Sequence, residues 1–296
     1  MKKLKILAVS DIHVDINSPG SSGDEANQGT FLEKASELLE QITEVDLVVC
    51  AGDISPSITQ LQRTLDVITK SIESTYYVFV PGNHDIWELD QKLWEGITRE
   101  KYEQGLRESV NRTKFRYLPQ QPLVIAEDLA IIGNIGWYDY SFRNPKWDNQ
   151  VTGLGYNGKR WEGYVWYDVN FTDWGMPDVE VTEYLLNQLV KDYQKIKTVP
   201  HKMAVMHHIP FREGVVYKDS LPWDFFCAFM GADCFGNFFQ EGNIKLVIHG
   251  HTHFPQVYRV GSCRVYCAPL GYRHEWHKSK DFSGVLRERI KLFEIP

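Results

Sequence analysis

Five short apolar runs, each stopping at residues able to bind a metal, constrain this 296-residue chain more than any other feature. Leu4 to Val9 leads to Asp11-Ile12-His13, Val45 to Ala51 to Gly52-Asp53, and Tyr76 to Val80 to Gly82-Asn83-His84-Asp85. Lys202 to Met206 leads to His207-His208, and Ile244 to Ile248 leads to Gly250-His251-Thr252-His253. Short runs rich in β-branched residues and ending in polar turn-formers read as buried strands. Asp, Asn and His supply the oxygen and nitrogen ligands that Zn²⁺, Mn²⁺ and iron accept. Sites in α/β folds form at the carboxyl ends of sheet strands, so shared sheets would gather these fragments.

Helical patterns separate the runs. Phe31 to Ile42 carries Leu32, Ala35, Leu38, Leu39 and Ile42 on one face, which predicts a crossover helix between the first two strands. Pro56 opens a second such stretch with Ile58, Leu61, Leu65 and Ile68. Asn17 to Gly29, rich in Gly, Ser, Asn and Asp, reads as a solvated loop near the site. Glu88 to Asn111 is charged and helix-permissive, outside the core repeat. Leu123 to Ala126 and Leu129 to Gly133, around a Glu127-Asp128 turn, predict a hairpin feeding a second sheet. Asp178 to Lys197 reads as a further helix, and Gln256 to Ile295 as strands and turns. Alternation of this kind predicts an α/β sandwich.

Composition narrows the function. The formal charge is −7 with no Lys/Arg block, so no long nucleic acid is expected as a partner. No apolar stretch reaches the roughly 18 residues of a membrane helix, and Met1-Lys2-Lys3 leads into too short a run for a signal peptide. Five cysteines without a CxxC pair fit a reducing, cytoplasmic setting, with Cys263 and Cys267 read as structural thiols.

The stretch from Trp137 to Trp174 holds twelve aromatics in 38 residues, against 13% for the whole chain. It reads as an insertion, at about 137–175, that caps a pocket, or else as a surface loop packed on its own rings.

Taken together and in order, DxH, GD, GNHD, a strand-terminal His and GHTH resemble the signature motifs of the calcineurin-like metallophosphoesterases. The resemblance implies one domain over 1–296: a four-layer α-β-β-α sandwich of two mixed sheets flanked by helices. It implies two divalent ions (Mn, Fe or Zn), one held by Asp11, His13 and His253, the other by Asn83, His207 and His251, with Asp53 bridging. Cations roughly 3.5–4 Å apart need such a shared carboxylate between them. A metal-bound hydroxide would then attack phosphorus in line, because coordination lowers a water pKa to about 7. His84 matches the family histidine assigned to the leaving oxygen or the transition state, and Asp85 is expected to orient it. The second His of His207-His208 fits a His-x-Pro spacing and stays an alternative ligand. His249 is expected to point into the fold, and His274 and His277 to lie on the surface.

Within the superfamily, Gly52 to Ser57 lacks the GDxVDRG of phosphoprotein phosphatases, and the lipid-A pathway pyrophosphatases place Arg where His84 stands. The resemblance therefore implies hydrolysis of a small phosphodiester or phosphomonoester. A catalytically silent scaffold that binds a protein partner and a nuclease are the alternatives; scaffolds tend to lose ligands that are all present here.

Overall fold

The apolar runs form strands because neither of their faces meets water. Along β1 (Leu4–Val9), Ile6 and Ala8 join one buried layer while Leu7 and Val9 join another. The same two-residue alternation continues in β2 (Leu47–Cys50) and β3 (Tyr76–Phe79), and strands covered on both faces lose any polar alternation. The computed structural model describes residues 3–18, 25–89, 97–276 and 282–295. Among the described residues the other strands are β4 (Arg116–Tyr117), β5 (Leu123–Ile125), β6 (Leu129–Asn134), β7 (Arg160–Trp161), β8 (Tyr164–Val165), β9 (His201–Met206), β10 (Leu246–His249), β11 (Gln256–Val260), β12 (Cys263–Cys267) and β13 (Lys291–Ile295).

One sheet runs β13-β1-β2-β3-β4, parallel except for β13; the other runs β11-β12-β10-β9-β6-β5, antiparallel only at its two edges. Ile6, Val49, Val78, Ile131, Val205 and Ile248 belong to the layer where the sheets face each other. Their outward neighbours pack under helices: Leu61 and Leu65 of Ile58–Ser71 on one side, Leu185 and Leu189 of Asp178–Ile196 on the other. This is the expected four-layer sandwich of two mixed sheets. A two-stranded β7-β8 hairpin stands apart from both sheets.

Several expectations need correction. The first long helix spans Glu25–Leu39, so part of the stretch read as solvated loop is helical; residues 19–24 lie outside the described residues. Its polar first turns hid it, because intrinsic propensity is a weak guide when an apolar stripe further along provides the packing. Asn17, read as the start of that loop, is buried and donates to the carbonyls of Ile12 and Gly271. Residues 97–110 of the helix-permissive stretch are helical, with a π-turn at Lys101–Gly105, and insert Tyr102, Leu106 and Val110 into the core; residues 90–96 of it lie outside the described residues. The C-terminal stretch includes a helix, Phe282–Arg289, before β13 returns to pair with β1. No helix among the described residues is long and apolar enough to cross a membrane.

Candidate metal centre

Each expected donor sits within a few residues of a strand's carboxyl end, and backbone hydrogen bonds fasten the loops to one another. Asp11 N donates to Gly52 O at 2.9 Å, His13 N to Asp53 O at 3.0 Å and Gly250 N to His207 O at 3.1 Å. Ser10 N donates to Ala268 O, and Leu270 N to Ser10 O, joining the two sheets at this end. Asp11, His13, Asp53, His251 and His253 all have left-handed backbone, with φ between 44° and 74°. Non-glycine residues visit that region at a cost and persist there where surrounding structure enforces it, commonly at functional sites. Two motif glycines are required by contact. A Cβ on Gly82 would stand 2.1 Å from Asp53 Oδ1, and one on Gly250 2.6 Å from Asp11 Oδ2.

The donors converge in two groups that share Asp53. In the first, His13 Nε2 lies 3.1 Å from His253 Nε2, His253 Nε2 lies 3.4 Å from Asp11 Oδ1, and His13 Nε2 lies 3.7 Å from Asp53 Oδ2. In the second, His207 Nε2 lies 3.1 Å from His251 Nδ1, 3.2 Å from Asn83 Oδ1 and 3.3 Å from Asp53 Oδ2. Donor atoms placed about 2.1 Å from one cation stand about 3.0–3.4 Å from each other in ordinary coordination geometry. Buried lone pairs this close repel unless a proton or a cation lies between them, so the donor set fits two divalent ions.

Charge within the cluster agrees. Burial and the neighbouring His84 hold His13 well below the ordinary imidazole range, and burial with His208 and His207 does the same to His251, which keeps both in the neutral ligand form. Burial also disfavours charge on His207 and His253, yet Asp53 lifts the first to about 9, and Asp11 with Glu275 lifts the second to about 10. Cations bound there compete for the positions of those protons.

The rings are held from behind. His207 Nδ1 pairs with Ala51 O at 2.8 Å, His251 Nε2 with Phe229 O at 3.2 Å and His253 Nδ1 with Glu275 Oε2 at 2.9 Å, contacts that fix ring orientation. Of the two adjacent histidines, His207 enters the cluster. His208 turns Nδ1 to Ile135 O and packs on Trp137 and Tyr138. His249 points into the fold and meets Tyr258 OH, His274 is exposed, and His277 lies outside the described residues.

The pairing of Asp85 with His84 is a correction. Asp85 turns away and accepts from the backbone N–H groups of Gly82, Asp53, Ile54 and Ser55, all within 2.9 Å, which locks the second and third loops together. Its position three residues into a tight helical turn aims the carboxylate at the turn's own amides. His84 is instead stacked on Trp87, ring centroids 3.6 Å apart, with Nε2 3.3 Å from Tyr272 OH.

Sequence reasoning missed Trp87, Tyr272 and Glu275. Trp87 follows its motif by two residues, and nothing in the sequence sets Tyr272 and Glu275 apart from the other polar residues around them. It also missed the wall beside the donor cluster. A cavity of about 450 Å³ opens onto Asp53, Asn83, His84, His251 and His253 and continues between Val215, Val216, Trp223, Phe226, Met230 and Phe254. From the aromatic stretch 137–174 only Trp166 lines this cavity; Trp137, Tyr138, Phe142, Tyr156 and Trp174 are buried.

A family model for calcineurin-like phosphoesterases matches residues 4–255, and the chain belongs to that family, whose members are metal-dependent phosphoric ester hydrolases. It is 21% identical over 291 residues to the acyl-carrier-protein phosphodiesterase PptH of Mycobacterium tuberculosis, covering 93% of this chain and 80% of that protein. The crystal structure of phosphopantetheinyl hydrolase (PptH) from the same organism superposes with a TM-score of 0.70 at 17% identity, over 99% of this chain and 96% of that one. At that identity the likeness shows a shared fold.

Proposed function

We propose that this protein hydrolyses a phosphodiester that has one long organic arm, the phosphopantetheinyl diester of an acyl carrier protein being the substrate that best suits it. The observation that carries the reading is the continuity of the donor cluster with a half-open, mostly apolar cavity of about 450 Å³, within the size range of small-molecule sites. Asp11, His13, Asp53 and His253 would hold one divalent ion, and Asp53, Asn83, His207 and His251 would hold the other. Bound ions supply an activated water and the positive charge that a phosphate ester needs. His84, steadied by Trp87 and Tyr272, donates a ring N–H to the phosphoryl or departing oxygen. Val215, Trp223, Phe226 and Met230 take the arm and exclude water from it. The similarity to PptH supports the substrate class, and five free thiols support a reducing, cytoplasmic setting.

Protein loaded with Mn²⁺ or Zn²⁺ is expected to cleave bis-p-nitrophenyl phosphate and to release phosphopantetheine from holo-acyl carrier protein. Turnover of the first alone would confine the activity to small diesters. No turnover of either, with two ions bound, would sink the hydrolase reading.

A further inference from the structure

Behind Asn83, on the side away from the other donors, lies a carboxylate that no motif includes. Asp168 is fully buried and opens the short helix Asp168–Phe171 within the aromatic stretch. Its Oδ1 accepts from Asn83 Nδ2 at 2.9 Å and Trp87 Nε1 at 2.7 Å; its Oδ2 accepts from Trp166 Nε1 at 2.7 Å and Tyr138 OH at 3.0 Å. Both oxygens are thereby saturated by four neutral donors. Among the described residues Asp168 has no Lys or Arg ion-pair partner, so these donors alone offset the cost of burying its charge.

The chemistry of an asparagine explains why a charge belongs there. A carboxamide is ambidentate: its oxygen binds a cation and its NH₂ repels one, while the two ends are nearly equal in size. A ligand Asn must therefore be held in one of two orientations. Asp168 accepts and never donates while ionised, so it can take only the NH₂ end, which leaves Asn83 Oδ1 facing His207 Nε2 at 3.2 Å. The same carboxylate grips Trp87, on which His84 stacks, and Trp166, which meets the His251 ring edge-on at 5.6 Å and lines the cavity.

We infer that Asp168 is a positioning residue that fixes the amide orientation of Asn83, and through it the affinity of the second metal position. The inference rests on the reading above, that Asn83 holds a cation.

The test is a two-site Mn²⁺ titration by calorimetry, with folding followed by circular dichroism. Wild-type protein is expected to bind two ions; fewer would overturn the two-metal reading itself and leave Asp168 with no ligand to position. Asp168→Asn, which can donate and so tolerates either orientation of Asn83, is expected to weaken one site by roughly 10–100-fold and leave the Asp11 side unchanged. Asn83→Asp alone sets two carboxylates face to face and is expected to weaken the same site. The reciprocal pair, Asn83→Asp with Asp168→Asn, restores an oxygen toward the ion and an NH₂ toward its partner while giving up the Trp87 bond to the same atom, and is expected to recover part of the lost affinity. A role in folding alone predicts no such recovery. If Asp168→Asn binds both ions as wild type does, or the reciprocal pair binds no better than either single variant, the inference is wrong. If Asp168→Asn does not fold, the reciprocal pair decides.

Discussion

The two walls of the active-site cavity are built on opposite plans. The donor wall consists of loops one to four residues past strand ends, with backbone amides tied to neighbouring loops and ring nitrogens anchored from behind. The facing wall, from Val215 to Met230 with Phe254, consists of short turns and the five-residue helix Trp223–Cys227, and it offers mainly aliphatic and aromatic surface. Polar chemistry needs fixed directions and gets them from sheet geometry. The organic arm of the proposed substrate needs only volume and dryness, which turns supply and which can change without disturbing the donors.

That contrast can be broken by experiment. Asp53→Asn is expected to act most strongly, because one residue belongs to both donor groups: metal analysis should show both ions lost together and turnover at background. Loss of a single ion would mean that the groups are independent. His84→Ala is expected to lower kcat by about 10²–10⁴-fold while two ions remain bound. Loss of metal in that variant would move His84 from the substrate to the ligands. Gly82→Ala forces a Cβ against Asp53 Oδ1 and is expected to cost about 1–3 kcal/mol of stability, read by denaturant unfolding. An unchanged midpoint would show the donor wall to be more pliant than its contacts imply. On the opposite wall, Trp223→Ala is expected to raise KM for the long-armed substrate about tenfold, the scale of one aromatic contact, with metal content unchanged. A fall in bound metal instead would show that the two walls are coupled.

The donor wall was legible because each ligand sits beside its strand in sequence, so a local pattern announces a three-dimensional place. Seven donor residues named from five fragments are brought within hydrogen-bonding or ion-pair range of one another by the fold. The layered sandwich follows from the same runs, since strands apolar on both faces demand cover on both. The facing wall was not legible: Val215, Phe226 and Met230 have the composition of any packed segment, and only tertiary contact turns them toward the site. Asp168 was hidden for a related reason. One Asp among the many polar residues of 137–174 carries no periodic signal, and its partners Asn83 and Trp87 lie more than eighty residues earlier. The expected pairing of Asp85 with His84 fails because neighbours in sequence need not be neighbours in space: a tight turn sends the two side chains in different directions.

The pairing of β13 with β1 bears on how the protein is made. Leu4 stands opposite Ile295, so the strand that leads to Asp11 leaves the ribosome well before its outer neighbour, which follows only after every other strand of both sheets. For most of synthesis that flank of the sheet is an open edge, the kind of surface that recruits stray strands. Contacts so distant along the chain also slow folding, since the intervening loop must close before they form. Expression with chaperones, or at low temperature, should therefore improve the yield of soluble protein more than any change near the metals.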